Sequence, residues 1–531
     1  MTKRILFILA FLEGCLVMTL ELTIPHVLSP ILGNSLNTWA TLIMMSVGGL
    51  ALGYFLGAYL SSKKLSSTHD SSSKALLVLT ACVSILGILT LFLVDYANSG
   101  SLLEDEISSA YLTAIIGLFL PSILLAATTP VLIAELSLST SNAGTLYAYS
   151  TWGGILFTLL SGFVFIPDYG LIKTLQIATF LSTVMLALIA YFQGGKLRYL
   201  SYGAIVVGLL SFGIGKFNLT EKESVKVLEL KEGLNGQLMV VETTLNDSTV
   251  DRTLFINRMG QTWVRITNGN SIASLWSYPG ILKSLASCHG KQVSNALVLG
   301  LGGGIVPLFL SDKQNLNYTI DAVELDPDII RFSKDYFSLP DDINVIQDDA
   351  RRVLNANKNE YDLIVMDIFN GEIAPSHVLS VEAFDRVKNA LSDRGIVIIN
   401  FNGNITGEAG ISGRSLYKTL IQSGFHVQML PTFEEGERNR NNLFVATLKP
   451  LDLEKKMTIP ITYFKNGKLE TYGIKENLFN FKNLDLSDAI VITDDYPMME
   501  QINQVAARQW REDYLKNVTL KYREQGIPLI K

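Results

Sequence analysis

The chain has 531 residues, a net charge of −6 and only 17% charged residues, and its charges are unevenly distributed. Residues 1–215 carry 17 charged side chains, about 8%, whereas residues 216–531 carry 75, about 24%, which is an ordinary globular density. The first half is therefore too apolar for a water-soluble fold, and the second is long enough for an enzyme domain with its own core. The acidic balance argues against nucleic acid as a partner, and three distant cysteines argue against a disulfide framework or a thiolate metal site.

Apolar stretches of membrane-spanning length recur through residues 1–216, which we interpret as a transmembrane helical domain of about seven spans in a lipid bilayer. A helix needs about 20 apolar residues to cross the hydrocarbon layer. The stretches are 5–32, 38–60, 75–94, 110–134, 145–166, 171–192 and a short one at 199–215. Small residues within them permit close helix contact: Gly48, Gly49, Gly53, Gly57, Gly153, Gly154 and Gly162.

The charges beside the spans predict the orientation of this domain. Lys and Arg residues near positions 3, 63 and 196 fall on one side, so the positive-inside rule places the N-terminus in the cytoplasm. Seven full spans would then put the second half outside. If that half uses a cytosolic nucleotide, either one span is miscounted or the charge rule fails here; we favour a miscount, at 199–215 or at 110–136. Glu13 and Glu21 lie within a span. Because an ionisable group inside a membrane is costly, it indicates a function by default, and a transport or small-molecule pathway stays open as an interpretation.

The segment 221–270 predicts a small antiparallel β subdomain. Short alternating apolar runs at 225–230, 237–244, 252–257 and 261–266 are separated by turn signals such as Asn235-Gly236 and Met259-Gly260. Residues 271–531 then change rhythm and predict an α/β Rossmann-like, class I methyltransferase-like domain with a parallel, doubly wound sheet. Strands are expected at 296–300, 319–324, 343–347, 362–367, 395–400, 425–430 and 442–447. Helices are expected at 304–311, 327–337, 350–357, 378–391 and 411–423, and a strand-like 489–493 precedes a surface helix at 498–523.

Two motifs at the ends of the first two strands predict a nucleoside site. The first strand runs into a loop containing Gly300, Gly302 and Gly304, where the backbone can approach a ligand and a helix begins. Glu324 ends the second strand, where an acid can accept hydrogen bonds from both ribose hydroxyls. The spacing is not a clean G-x-G-x-x-G, which favours an S-adenosyl compound over a nicotinamide dinucleotide.

Acids also end the third and fourth strands. Asp349, followed by Ala350, can receive an adenine amino group. Asp367 lies at the carboxyl edge of the sheet, where open α/β folds bind ligands. A carboxylate there can orient or deprotonate a nucleophile that faces a sulfonium carbon.

On these motifs, residues 225–500 resemble spermidine synthases, the polyamine aminopropyltransferases, and with the apolar front half the chain resembles the bacterial membrane-fused members. The resemblance implies that Asp367 is the catalytic proton acceptor. It also implies that Gln261 contacts the thioadenosine, Pro375 flanks the nucleoside, and Tyr278 matches the tyrosine of the family's Tyr-His pair. It places the chain in the bacterial inner membrane with a cytoplasmic soluble domain.

Three positions depart from the family's pattern for holding a cationic amine. Ile305 replaces an acid after the glycine loop, Pro279 replaces the histidine of the Tyr-His pair, and Asn370 replaces a second acid. Burying an ammonium without partners costs several kcal/mol, so a diamine in the usual pose is disfavoured. Glu372, Asp494 and Asp495 are candidates to compensate.

The sequence therefore predicts a transferase that moves an aminopropyl-type arm from S-adenosylmethionine or its decarboxylated form to an amine acceptor. We expect the reaction to release 5′-methylthioadenosine and to need no metal and no cofactor beyond the S-adenosyl co-substrate. The alternative within enzymes is cleavage of S-adenosylmethionine or methyl transfer from it. An alternative of another class is a transporter-like protein with a non-catalytic nucleotide-sensing domain. Homo-oligomerisation remains open.

Overall fold

The structure is a computed structural model. It describes residues 1–33, 35–62, 70–99, 106–136, 140–214, 224–233, 236–269, 271–289, 292, 294–356, 361–369, 375–433, 441–465 and 468–514. The described residues up to 214 form one compact unit and those from 224 onward form another.

The first unit is a helical bundle. Its described residues contain six helices long and apolar enough to cross a membrane, one fewer than predicted. The stretch at 199–215 gives instead a 15-residue helix, about 22 Å long at 1.5 Å per residue and shorter than the hydrocarbon layer. Short π-helical segments join α4 to α5 and continue α6. The helices are α1 (Lys3–Leu32), α2 (Leu36–Ser62), α3 (Asp70–Ser99), α4 (Glu106–Ala114), α5 (Leu120–Glu135), α6 (Thr140–Leu160), α7 (Leu171–Gln193) and α8 (Leu197–Ser211).

Glycines bring the helices of this bundle into backbone contact, as predicted. A Cβ atom built on Gly53 of α2 would lie 2.3 Å from the carbonyl oxygen of Ile123 in α5. One built on Gly153 of α6 would lie 2.1 Å from the carbonyl oxygen of Phe11 in α1. The expectation does not hold for Gly48 or Gly162, around which a Cβ would meet open space.

One of the two acids predicted to lie within the first span is held inside the bundle. Glu13 is buried in α1 and accepts a 2.6 Å hydrogen bond from the Ser150 hydroxyl of α6. Glu21, two turns further along α1, is half-buried. Glu13 thus has a neighbouring hydroxyl as partner, which fits pairing within the bundle.

The second unit begins with a five-stranded antiparallel sheet in the order β1-β2-β3-β4-β5, so each strand pairs with the next in the chain. This confirms the predicted β subdomain and adds one short strand to it. Asn257 and Arg258 both adopt positive φ and form the tight turn between β3 and β4. The strands are β1 (Val225–Gly233), β2 (Gly236–Asn246), β3 (Thr249–Ile256), β4 (Met259–Thr267) and β5 (Ser271–Ser274).

The α/β domain follows, with a seven-stranded sheet in the order β11-β12-β10-β9-β6-β7-β8. The predicted strands and helices are all present between 294 and 447. Val365 and Met366 of β9 enter two different apolar clusters, because successive side chains of a strand point to opposite faces. The strands are β6 (Ser294–Leu299), β7 (Tyr318–Glu324), β8 (Asn344–Gln347), β9 (Tyr361–Met366), β10 (Leu391–Asn402), β11 (His426–Pro431) and β12 (Asn441–Thr447). The helices are α9 (Tyr278–Ala286), α10 (Ile305–Leu310), α11 (Pro327–Phe337), α12 (Ala350–Ala356), α13 (Val381–Ala390) and α14 (Ile411–Gln422).

The sheet is mixed, which corrects the prediction of a wholly parallel one. β12 is antiparallel to both of its neighbours, β10 and β11. Parallel neighbours need a crossover connection of a dozen or more residues, whereas only residues 432–440 separate β11 from β12. The other pairings are parallel, so β6, β7, β8 and β9 end at the same edge.

The C-terminal part contains short elements that complete the domain. The predicted strand at 489–493 is wrong, because Ile490 and Ile492 donate their backbone N–H groups to the side chains of Ser415 and Thr419 on α14. The predicted surface helix is shorter than expected in the described residues and is broken at Asn503. The elements are α15 (Leu453–Lys456), β13 (Thr462–Lys465), β14 (Lys468–Thr471), α16 (Ile474–Asn477), α17 (Met499–Ile502) and α18 (Gln504–Tyr514).

Candidate active site

The glycine loop crosses the carboxyl edge of the sheet between β6 and α10. Gly300, Gly302 and Gly304 all have positive φ, a conformation that side chains with a Cβ rarely adopt. A Cβ on Gly300 would lie 2.0 Å from the carbonyl oxygen of Asp367, so the loop passes directly against the end of β9. The loop is therefore tight, and its glycines are required by its geometry.

A threonine of the small sheet holds this loop, which the sequence did not indicate. The Gly303 N–H donates a 2.8 Å hydrogen bond to the Thr262 hydroxyl of β4. A Cβ on Gly303 would lie 2.6 Å from the Thr262 methyl carbon. The β subdomain thus forms part of the site. A threonine in a strand carries no sequence signal of this role, apart from its position next to Gln261.

Gln261 occupies a β-bulge. Leu254 pairs with Thr262 and Phe255 with Gly260, so Gln261 is the extra residue with no partner on β3. Its side-chain amide donates to the carbonyl of Met259 at 3.4 Å, a contact within its own turn. Bulges re-aim side chains next to active sites. The predicted contact of Gln261 with the thioadenosine stays a prediction.

Glu324 is fixed by backbone amides at the end of β7. One carboxylate oxygen accepts from the Leu301 N–H of the glycine loop at 3.1 Å, and the other accepts from the N–H groups of Leu325 and Asp326 at 2.9 and 3.1 Å. Burial raises the pKa of Glu324, and these hydrogen bonds oppose the rise. Glu324 therefore lies beside the glycine loop, where a ribose-binding acid is expected.

The adenine-side candidates also lie together. Asp349 accepts from the Arg352 N–H at 3.0 Å, and its other oxygen lies 3.4 Å from His377 Nε2. Pro375 starts the short turn that carries His377, and Ala350 is the first residue of α12. The structure thus places Asp349 and Ala350 next to the turn that begins at Pro375.

Asp367 lies at the centre of a polar network. One carboxylate oxygen accepts a 2.9 Å hydrogen bond from the Tyr278 hydroxyl, and the other accepts a 2.8 Å bond from the side-chain amide of Asn400. Burial raises the pKa of Asp367, although the hydrogen bonds from Asn400 and Tyr278 work in the opposite direction. Burial, and then the charge of Asp367, raise the pKa of Tyr278 well above its usual value. Tyr278 is therefore a neutral donor, and Asp367 is the group of this pair that can take a proton.

Asn400 is a site residue that sequence reasoning missed. It lies on β10, beside β9, and its own carbonyl oxygen accepts a 2.8 Å hydrogen bond from Asn441 at the start of β12. This bond fixes the amide of Asn400 with its NH₂ group toward Asp367. An asparagine at the end of a strand gives no signal of such a role until the strand order is known.

The candidate substrate-pocket residues that the structure describes lie in different surroundings. Ile305 is only 5% exposed and belongs to an apolar cluster with Ile329 and Phe332, so it is a core residue and not an open pocket wall. Asp494 pairs with Arg351 at 2.7 Å and accepts from the Ser380 hydroxyl at 2.5 Å. Both of its oxygens are engaged within the domain, and its role as an amine anchor stays a prediction.

The remaining pocket candidates differ in what the structure says of them. Asp495 is exposed in the turn that follows Asp494. Asn370 and Glu372 lie outside the described residues.

The sequence model of the spermine/spermidine synthase domain matches residues 277–435, which include Tyr278, the glycine loop, Glu324, Asp349 and Asp367. Residues 277–435 of the α/β half thus form a spermine/spermidine synthase domain. A probable polyamine aminopropyl transferase of Bifidobacterium longum is 32% identical over 242 residues, 42% of this chain and 52% of that protein. The polyamine aminopropyltransferase 2 of Aquifex aeolicus is 23% identical over 467 residues, 84% of this chain and 88% of that one.

An N-terminal histidine N-methyltransferase of Emericella nidulans is 33% identical over 146 residues, 26% of this chain. The match covers 24% of the methyltransferase. The chain thus spans between a quarter and about half of the length of the first curated relatives that it matches.

Proposed function

We propose that the protein is a membrane-integrated transferase of the spermidine synthase type. It moves an aminopropyl-type arm from an S-adenosyl sulfonium to an amine and releases 5′-methylthioadenosine. The observation that carries the proposal is the partly buried carboxylate of Asp367, oriented by Tyr278 and Asn400 against the glycine loop. The names of the aminopropyltransferase relatives support the same reaction class.

The proposed step needs positioning and one base. The amine lone pair attacks the arm carbon bonded to the sulfonium, the C–S bond breaks, and its electron pair neutralises the sulfur as a thioether. The amine loses one proton, which Asp367 accepts. The sulfonium itself supplies the leaving group, so the chemistry asks for no further cofactor. Positioning the two reactants in line is the main contribution of the protein.

The second candidate is a reaction of S-adenosylmethionine itself, by methyl transfer or by cleavage. Ile305 favours it, because this position carries no acid that could hold the amine of the decarboxylated donor and repel the carboxylate of the ordinary one. The identity with a histidine N-methyltransferase points the same way. A charge-assisted contact contributes about 1.5–3 kcal/mol, so its loss removes roughly a ten- to hundredfold preference between donors.

One experiment separates these candidates. Purified full-length protein is incubated with S-adenosylmethionine or its decarboxylated form, with and without a panel of amines, and the products are identified by mass spectrometry. An alkylated amine together with methylthioadenosine supports aminopropyl-type transfer. S-Adenosylhomocysteine indicates methyl transfer, and methylthioadenosine without an amine product indicates cleavage. Tight nucleoside binding with no turnover of either donor would favour the alternative of a non-catalytic nucleotide-sensing domain.

We also propose that the helical unit spans the inner membrane and that the α/β unit lies in the cytoplasm. Six long apolar helices and a cytoplasmic N-terminus return the chain to the cytoplasmic side. The short helix α8 is the point to test, because it folds back along α7, where Gln176 donates to the carbonyl of Ile214. Reporter fusions after Gly195 and after Gly269 should report the same side of the membrane. Opposite sides would show that α8 crosses it.

A further inference from the structure

The last described helix, α18, reaches the bulge that carries Gln261. The Gly260 N–H donates a 3.0 Å hydrogen bond to the Tyr514 hydroxyl oxygen. A Cβ on Gly260 would lie 3.4 Å from that oxygen and 3.8 Å from the ring of Trp276, so both aromatic residues lie close to the bare face of the glycine. A backbone group of the bulge is therefore satisfied by a side chain from the far end of the domain.

The helix that carries Tyr514 is itself anchored on the α/β domain. Asn503, directly before α18, accepts a 2.7 Å hydrogen bond from the Ser412 hydroxyl at the start of α14. Ala506 and Arg511 are buried on the inner face of α18. Trp510 lines a small cleft with residues 402–404, at the end of β10, and its ring centre lies 5.6 Å from that of Tyr514.

These contacts give α18 a defined course. It begins near residues 402–404, just beyond Asn400 at the catalytic edge of the sheet, and ends on Gly260 in the small sheet. Both ends of the helix are thus tied to strands that carry candidate site residues: β10, with Asn400, which the sequence did not indicate, and β4, with Gln261, which it predicted.

We propose that Tyr514 is a positioning residue for nucleoside binding. By holding the Gly260 N–H, it fixes the bulge so that Gln261 keeps one direction beside the glycine loop. This inference rests on the proposed function, because it assumes that Gln261 faces a bound nucleoside. Tyr514 itself lies outside the segment matched by the family domain, which ends at residue 435.

The physical reason is the weak local restraint on the bulge. Gln261 has no cross-strand partner on β3, and among the described residues its side chain bonds to its own turn. A bulge leaves its extra residue outside the ladder, so the Gly260 N–H is one of few groups through which the rest of the domain can hold it. Losing the Tyr514 hydroxyl returns that N–H to solvent and lets the bulge sample other conformations.

The test compares Tyr514→Phe with Tyr318→Phe in the full-length protein. Tyr318 is the matched control: its hydroxyl also binds a backbone group, here by donating to the carbonyl of Ala286 at 2.7 Å, but it lies at the start of β7, at the opposite edge of the sheet. Hydrogen exchange of residues 257–263 is measured without ligand, and methylthioadenosine affinity is measured by calorimetry.

Tyr514→Phe should accelerate exchange at 257–263 and weaken methylthioadenosine binding about two- to tenfold, the effect of one neutral hydrogen bond. KM for the donor should rise while kcat stays unchanged, and Tyr318→Phe should change neither exchange nor affinity. Wild-type affinity in Tyr514→Phe would overturn the positioning role, whatever the exchange shows. A wild-type protein that binds no nucleoside would instead refute the proposed function.

Discussion

Replacing Asp367 by asparagine separates the chemical step from folding and binding. The amide keeps the shape of the carboxylate and can accept from Asn400, while its NH₂ group faces the Tyr278 hydroxyl, which can rotate to accept. Tyr278 and Asn400 each keep a hydrogen bond to the side chain at position 367, so the fold should persist. A general base contributes about 10²–10⁴-fold to rate, so turnover should fall by that factor while methylthioadenosine affinity stays unchanged.

The pKa of Asp367 adds a second readout. Because burial raises it, Asp367 stabilises the folded state below its unfolded pKa, and this contribution disappears as the pH rises through the folded pKa. At neutral pH the neutral amide should therefore leave the thermal midpoint unchanged or raise it. For the wild type, the acid limb of the pH–rate profile should lie above the usual carboxyl range, because only ionised Asp367 can accept a proton.

Asp362→Asn is the matched control, since Asp362 lies on the same strand at its other end. Burial, which raises the pKa of Asp362, is outweighed by hydrogen bonds from Ser392, the Asn295 amide and Arg394, so its pKa lies below the usual range. It stabilises the fold above its unfolded pKa, and its replacement should lower the thermal midpoint while sparing turnover. Product formation by mass spectrometry and a thermal melt measure both variants. Unchanged turnover in Asp367→Asn would refute the general-base role and favour a sensing domain.

Further outcomes follow from the same structure. Glu324→Gln should weaken methylthioadenosine binding roughly ten- to hundredfold in a calorimetric titration, because charge-assisted hydrogen bonds are lost; equal affinity would remove Glu324 from the site. S-Adenosylmethionine should bind at least as well as its decarboxylated form, and a strong preference for the latter would restore a plain spermidine synthase. In detergent, Gly53→Leu should lower the thermal midpoint, because its side chain would meet α5 backbone, whereas Gly48→Leu faces open space; equal midpoints would contradict the packing. Alkaline carbonate should leave the protein in the membrane fraction, and its release would refute the spans.

The sequence predicted those parts of the site that depend on local pattern. Each of these patterns is local: a strand followed by a helix, a glycine loop, or an acid at a strand end can be recognised from a short stretch of sequence. The structure places Glu324 and Asp367 beside that loop. Parallel strands bring their carboxyl ends to one edge, so the candidates converge without knowledge of distant contacts.

The residues that were missed depend on pairings between distant segments. Thr262 and Asn400 are ordinary polar residues of strands, and Tyr514 is one of a helix. Only the fold brings Thr262 to the glycine loop, Asn400 to Asp367 and Tyr514 to Gly260. The expectation that Ile305 lines the substrate pocket is a different case. Its alignment with a family acid suggested a pocket wall, but an isoleucine at the start of α10 finds an apolar cluster and turns to the core. An Ile305→Asp variant would therefore bury a carboxylate there and is a poor test of donor preference.

The strand order has a consequence for how the domain can be made or cut. β10 pairs with β9 on one side, but its other neighbour, β12, is synthesised only after β11, and β11 attaches to the sheet through β12 alone. Until Asn441 has left the ribosome, the growing chain therefore presents the long, apolar, unpaired edge of β10, a template for aggregation. A fragment limited to the family-matched residues 277–435 would keep that edge permanently and should aggregate. The stretch that identifies the family is thus shorter than the stretch that can exist alone in water.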